Sequence, residues 1–255
     1  MIILGLTGPI GHGKSSFAKA IAAQDPSVAH FESSLIVGEV ADALHATTTK
    51  VPSRDDIDEI NEWLKPLPDI LMKVVNAHCV FGAIALDEAE IERHPIEYEK
   101  LFIHIDNLHR NPELLKQKIS LENKESYRPI LQWLGGYLVR RVDNGIWYKE
   151  IVRRIQELDQ DQHKICIVGG LRFPNDAYLL KKAGAKIVKV YRPEHLQYDK
   201  LDPTERERDN IPVDCTIVSN GSIDDLNACA KRVVEDISSG KIQPVYYAVQ
   251  AQNAA

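Results

Sequence analysis

The sequence predicts an α/β fold: a five-stranded, mostly parallel sheet with helices on both faces and a largely helical insertion. Three observations predict it. Short apolar runs recur at 1–7, 28–31, 164–168, 186–191 and 214–219. The third and fourth are rich in Ile and Val and are separated by a helical segment, as expected for parallel strands buried on both faces. Helical periodicity is clearest near the end, where Ile223, Leu226, Ala230, Val233 and Ile237 share one face, with Asp224 and Asp225 in the first turn and Gly240 just beyond the last. Finally, a Pro-interrupted, mostly helical stretch from about 46 to 127 stands between the second and third strands and reads as an insertion forming a wall or lid. Alternating strands and helices imply a parallel sheet covered on both sides. We therefore expect one domain over 1–240 with this insertion, followed by a tail at 241–255 that has no usable periodicity, although Tyr246 and Tyr247 could dock it.

Composition narrows the class. At 255 residues, with 44% hydrophobic and 27% charged side chains, the chain is long enough for a substantial core and ordinary for a globular protein. A formal net charge of −6 argues against broad nucleic-acid binding, which needs a basic surface. Cys79, Cys166, Cys215 and Cys229 are far apart with no C-x-x-C pair, so zinc is not expected and reduced, buried thiols are. The first residues read as a core strand rather than a signal peptide, and no apolar run approaches membrane-spanning length. The expectation is a cytoplasmic protein with no membrane partner, and a homodimer is compatible with it.

The first strand runs directly into Gly8-Pro9-Ile10-Gly11-His12-Gly13-Lys14-Ser15-Ser16, followed by the helical 17–23. This is G-x-x-x-x-G-K-S in its required strand–loop–helix setting, a P-loop. Glycines let backbone N–H groups turn inward around phosphates, and the helix start adds a favourable dipole. Lys14 is expected to reach the β- and γ-phosphates of ATP, and the Ser15 hydroxyl to bind Mg²⁺. His12 is read as a permitted variable position of the loop, without a catalytic role.

A second constellation lies at 127–141. Read as one helix, it carries an apolar stripe of Ile130, Leu131, Leu134, Leu138 and Val142, while Arg128, Gln132, Gly136 and Arg140 follow at four-residue steps on another face. Arginine suits phosphate, glutamine suits a base edge, and Gly135-Gly136 permit close approach at a cost to the helix of about 0.5–1 kcal/mol each. A solvated polar face is the competing reading. Arg141 is turned about 100° from Arg140 and is read as a surface charge.

Together these features resemble the phage-type deoxynucleoside monophosphate kinases, a branch of the P-loop nucleotide kinases. The resemblance rests on the P-loop, on Arg128-x-x-x-Gln132-x-x-Gly135-x-x-x-x-Arg140 with Trp147 shortly after, and on Leu171-Arg172-Phe173-Pro174-Asn175-Asp176. It continues through Val190-Tyr191-Arg192, Thr204-Glu205 and Val218-Ser219-Asn220-Gly221-Ser222. It covers most of 1–45 and 126–238. It implies ATP-dependent, Mg²⁺-assisted phosphoryl transfer to a (deoxy)nucleoside monophosphate. Lys14, Arg128, Arg140 and Arg172 would be catalytic, with Arg192 near ATP. Phe31, Arg128, Gln132, Gly135, Gly136, Arg140, Trp147, Asn175 and Asp176 would surround the acceptor.

The chain also departs from the family's pattern. An acidic residue usual just before the arginine of the Leu171-Arg172-Phe173 counterpart is Leu171 here, preceded by Gly169 and Gly170. The usual Gly-Thr of the monophosphate helix is Gly135-Gly136, and the segment after the second strand reads Phe31-Glu32-Ser33-Ser34-Leu35-Ile36. These changes bear on metal placement and acceptor base. Arg206 and Arg208, in the acidic run 204–209, belong either to a lid or to a solvated loop. Two other functions fit parts of the pattern: a dephospho-coenzyme A kinase-like enzyme, whose opening segment is similar, and a nucleotide-binding regulatory protein with weak catalysis.

Overall fold

The computed structural model describes residues 1–75, 85–193, 195 and 207–248. Cys79, Arg206 and the Thr204-Glu205 pair lie outside them, as do the side chains of Leu138 and Arg140. The chain divides into two compact units, one formed by Met1–Glu32 with Val152–Ala255 and one by Ser33–Ile151.

The first unit is an α/β layer structure. Its strands are β1 (Ile2–Thr7), β2 (Ala29–Glu32), β3 (Ile165–Gly169), β4 (Lys186–Tyr191), β5 (Cys215–Ser219) and β6 (Val245–Ala248), in the spatial order β2-β3-β1-β4-β5-β6. Every pairing is parallel. The sheet therefore has six strands rather than the expected five. The extra one lies in the tail, where Tyr246 is buried and its hydroxyl donates to Asp236 while Tyr247 is exposed. A four-residue edge strand shows little periodicity, and this one is specified by an available sheet edge at β5.

Helix α1 (Lys14–Ala22) and the last helix, Ile223–Ser238, cover one sheet face. Phe17, Ala18 and Ile21 of α1 join Leu226, Cys229, Ala230 and Val233 against Leu4, Leu6, Ile165, Ile167, Val188, Val190 and Ile217. Each fully buried Leu, Ile or Val contributes about 1.5–3 kcal/mol. Ile223, placed on the buried stripe by its spacing, is exposed, and Cys229 takes part in the core instead. The helix starts as expected from its acidic first turn: Ser222 and Asp225 exchange a capping box, the Ser222 N–H donating to Asp225 at 2.7 Å. On the opposite face Leu180 packs over Gly5, whose absent side chain leaves room for Ile187, Leu180 and Leu171. Cys166, Cys215 and Cys229 are buried free thiols, as expected.

The second unit is helical. It contains α2 (Ser33–Ala46), α3 (Ile57–Leu64), α4 (Leu67–Val75), α5 (Glu88–Arg93) and α6 (Pro95–Arg110). Asp56 caps α3 by accepting from the N–H groups of Asp58 and Glu59, both at 3.0 Å. Leu44, Ile60, Leu64, Leu71, Leu101 and Ile105 are buried. In this core His45 and His104 face each other, Nε2 to Nε2 at 3.0 Å, stacked beside Trp63 and Tyr127. One ring must donate and the other accept, an arrangement that two protonated rings cannot make. Burial pushes both imidazoles well below their usual range.

A pH dependence follows. Groups whose folded pKa is depressed contribute stability above their unfolded pKa of 6.5 and lose it as pH falls. Denaturant unfolding followed on helical signal is expected to weaken from pH 7 to pH 5, at about 1.4 kcal/mol per unit of depression. A His104→Gln variant is expected to flatten that slope. An unchanged slope in the variant would assign the acid sensitivity elsewhere.

Candidate nucleotide site

The glycine-rich loop from Gly8 to Ser16 emerges from β1, the strand flanked by β3 and β4. Gly8 has φ +135°, and a Cβ there would stand 2.1 Å from the Val190 carbonyl oxygen. Only glycine fits, because both the backbone region and the space exclude a side chain. Gly11 (φ +80°) and Gly13 (φ +93°) continue the turn, and Gly13 precedes α1 in a left-handed conformation. No acidic residue occupies the first turn of α1 and no side chain caps it. That leaves its start suited to an anion. The Lys14 ammonium folds back over the loop and donates to the carbonyls of Gly8 and Pro9, each at 2.7 Å. Ser15 is exposed and Ser16 half-buried, while Ile10 stands outward.

His12 differs from its sequence reading as a freely variable loop position. It is buried, and its Nδ1 accepts the backbone N–H of Arg192 at 2.9 Å. Tyr191 and the edge of His195 lie beside the ring, at centroid distances of 5.4 and 5.3 Å. The ring thus ties the loop to the exit of β4. Burial first, then the electrostatic influence of His195, Lys14, Arg208 and Arg192, pushes His12 down to about 4, so it stays neutral. Arg208 itself is buried, its guanidinium 3.4 Å from Asp209, which does not fit the purely solvated loop considered for 204–209. Sequence gives no sign of this contact, since 180 residues separate His12 from Arg192.

At the exit of β3, Leu171 is buried and Arg172 half-buried. Thr7 donates its hydroxyl to the Leu171 carbonyl at 3.2 Å, fixing this turn to β1. Asn175 and Asp176 open α10 (Pro174–Lys182; α7–α9 are given below). Asp176, expected at the acceptor, instead accepts from the N–H groups of Phe173 and Arg172 at 3.0 and 3.3 Å, capping its own helix. Burial raises its carboxyl to about 7 against the pull of those donors. Phe31 sits half-buried in β2.

The arginine-bearing segment belongs to the second unit. It is not the single regular helix read from sequence. Helix α7 (Arg128–Gln132) passes through a π turn, Trp133–Tyr137, into α8 (Leu138–Arg141), and α9 (Ile146–Gln156) follows. Gly135 and Gly136 lie inside the π turn, where two residues without side chains tolerate its wider backbone. The proposed common face changes accordingly. Arg128 and Gln132 are half-buried, whereas Gly136 is packed inside. A Cβ on Gly135 would make only ordinary contact with Val37 at 3.8 Å, so Gly135 is not needed for a close packing approach. Arg128 donates through Nε to Glu125 at 2.8 Å. Arg141, read as a surface charge, pairs with Glu90 and lies over the Tyr137 ring at 4.9 Å. Trp133 stacks on Tyr137, and Tyr137 and Tyr98 share a hydrogen bond between hydroxyls. The buried indole N–H groups of Trp133 and Trp147 have no hydrogen-bond partner among the described residues.

Residues 72–229 match the model of a family described as deoxynucleotide monophosphate kinase. The chain belongs to that family. The match spans the π-turn segment, the β3 exit and β4 through the first half of the last helix, and it begins after the glycine-rich loop. Comparison with curated proteins gives no match. A kinase of this family acts on deoxynucleotide monophosphates. No helix among the described residues is long and apolar enough to cross a membrane.

Within this kinase the loop is held by packing as much as by its own glycines. Gly8→Ala is expected to lower stability by several kcal/mol, because the methyl group meets a backbone carbonyl and the φ is unfavourable. Urea unfolding of the variant checks this. Stability equal to the parent would show that β4 can move away from the loop without cost.

Proposed function

We propose that this kinase transfers the terminal phosphoryl group of ATP to a (deoxy)nucleoside monophosphate, giving ADP and the corresponding diphosphate, with Mg²⁺ as cofactor. The observation that carries the reading is the loop from Gly8 to Ser16. Three positive-φ glycines, a lysine and an uncapped helix start are arranged in sequence at the end of β1. The family membership supplies the acceptor class.

The acceptor phosphate is already anionic, so attack needs no general base. A new P–O bond forms to the γ-phosphorus as the bond to the β–γ bridging oxygen breaks, and ADP leaves. The protein's work is alignment, exclusion of water and charge neutralisation. In this reading Lys14 exchanges the carbonyls of Gly8 and Pro9 for phosphate oxygens, which offer a full charge in place of a dipole. Arg172 and Arg192 serve the transferring group. Arg128 and Arg140 hold the acceptor phosphate, Arg128 after release from Glu125. Gln132 would read a base edge, and an acceptor oxygen would satisfy the Trp147 indole N–H. Phe31, Gly135, Gly136 and Asn175 are proposed as the remaining acceptor neighbours. The exposed Ser15 hydroxyl, at the helix start beside Lys14, is an oxygen donor suited to a hard cation. When bound, Mg²⁺ would neutralise charge developing on the phosphate oxygens.

The test is a panel of ribo- and deoxynucleoside monophosphates with ATP and Mg²⁺, read by product formation. ADP is expected in equal amount with a nucleoside diphosphate, and only when an accepted monophosphate is present. Lys14→Ala is expected to lower turnover by about 10²–10³-fold while the chain stays folded. ATP hydrolysis indifferent to every monophosphate would instead support a regulatory nucleotide-binding protein.

A separate measurement addresses the acceptor segment. Arg140→Ala is expected to weaken monophosphate binding and turnover together, by about tenfold or more, and to leave ATP affinity without acceptor unchanged. Equilibrium binding of each ligand decides it. A loss confined to ATP would assign Arg140 to the donor.

A further inference from the structure

The β3 exit carries Gly169 and Gly170 and no carboxylate, although a hard cation beside a P-loop serine calls for acidic oxygen nearby. The neighbouring strand supplies one. Glu32 ends β2 directly opposite Gly169, and its side chain is buried at the C-terminal edge of the sheet. A Cβ built on Gly169 would stand 3.0 Å from Glu32 Cγ and 3.2 Å from Oε1, so the glutamate occupies the space that a side chain on β3 would take. Its Oε1 also lies 3.7 Å from His30 Nε2.

The face of the sheet follows from the register. Ile165 and Ile167 of β3 pack in the cluster that contains Leu4, Leu6 and the α1 residues Phe17, Ala18 and Ile21. Side chains alternate along a strand, so position 169 points to the α1 side, and its partner Glu32 points the same way. Gly5 pairs with Val168, which puts Leu6, Gly169 and Glu32 in one row across the edge from which the P-loop leaves. Helix α1, which begins with Lys14 and Ser15, packs over β3 on this side. A buried carboxylate therefore shares both face and edge with the start of α1.

We propose that Glu32, at the end of β2 and admitted by Gly169, is the metal-side carboxylate of this kinase, and that it holds the hydration shell of the nucleotide-bound Mg²⁺. The proposal rests on the ATP–Mg²⁺ reading above. His30, when protonated, pairs with the same carboxylate and competes with the cation for it.

The test uses the full chain with ADP and Mn²⁺ as the probe, the free ion being followed by electron paramagnetic resonance. In Glu32→Gln, Mn²⁺ affinity of the protein–ADP complex is expected to fall roughly 10–100-fold, with metal-free ADP affinity and melting temperature held. The double variant Glu32→Ala/Gly169→Asp, which places a carboxylate on β3 where the shortened residue 32 leaves room, is expected to recover most of that loss relative to Glu32→Ala. Unchanged Mn²⁺ affinity in Glu32→Gln would overturn the proposal and leave the kinase reading standing. A parallel loss of metal-free ADP affinity would also overturn it, by showing that Glu32 only supports the fold. If the unmodified chain bound ADP without any response to Mn²⁺, the ATP–Mg²⁺ reading itself would fall.

Discussion

The close approach of Gly8 to the Val190 carbonyl is the constraint on which the rest of the nucleotide site depends. β1 lies between two parallel neighbours, so its continuation must turn away at once without a side chain to clash with β4. The turn then places Gly11 and Gly13 in left-handed backbone and delivers the chain into α1. Two further bonds fix the same region from either side. Thr7 reaches the β3 exit at Leu171, and the Arg192 N–H reaches back to His12. The loop is thus held at three strand ends, which limits the reorganisation that anion binding would require.

Charge is distributed unevenly around that loop. The chain carries a formal net charge of −6, yet Lys14, Arg192 and Arg208 all act on His12. Like charges brought together in a partly buried place repel, and a neutral His12 fills the space without adding to the repulsion. The nearby buried Asp176 is no counter-ion to these groups in any simple sense. Its carboxylate is held by the backbone N–H groups at the start of α10, and burial favours its neutral form. Polyanionic ligand chemistry is the natural complement of such an arrangement.

The helical unit solves a different problem. Its core contains polar aromatic groups that must be paired inside an apolar setting: His45 with His104, Tyr98 with Tyr137, and Trp63 with Thr48. The Tyr98–Tyr137 and Trp63–Thr48 bonds satisfy their groups and the two histidines pair through Nε2, whereas Nδ1 of both histidines and the Trp133 and Trp147 indoles have no partner among the described residues. An unmade hydrogen bond in a buried place costs about 1–3 kcal/mol at each of the two indoles. Both are close in sequence to the π turn, a kind of helix irregularity that often accompanies function.

The sequence by itself determined the parallel α/β layer, the glycine-rich turn and its following helix, and the capped last helix. Each of these is a local pattern: contiguous buried strands, a glycine spacing, an apolar stripe with an acidic start. Most strand boundaries were legible to within one residue for the same reason. Only tertiary structure decided the sixth strand, because an edge of four residues pairs where a neighbour offers its backbone. It also decided that Asp176 caps α10, that His12 fastens the loop to β4, that Gly135-Gly136 open a π turn, and that Arg141 pairs with Glu90. Arginines, glycines and an aspartate are equally at home in a ligand site, a cap or an ion pair. Their roles depend on partners distant in the chain, and spacing along one segment carries no information about them.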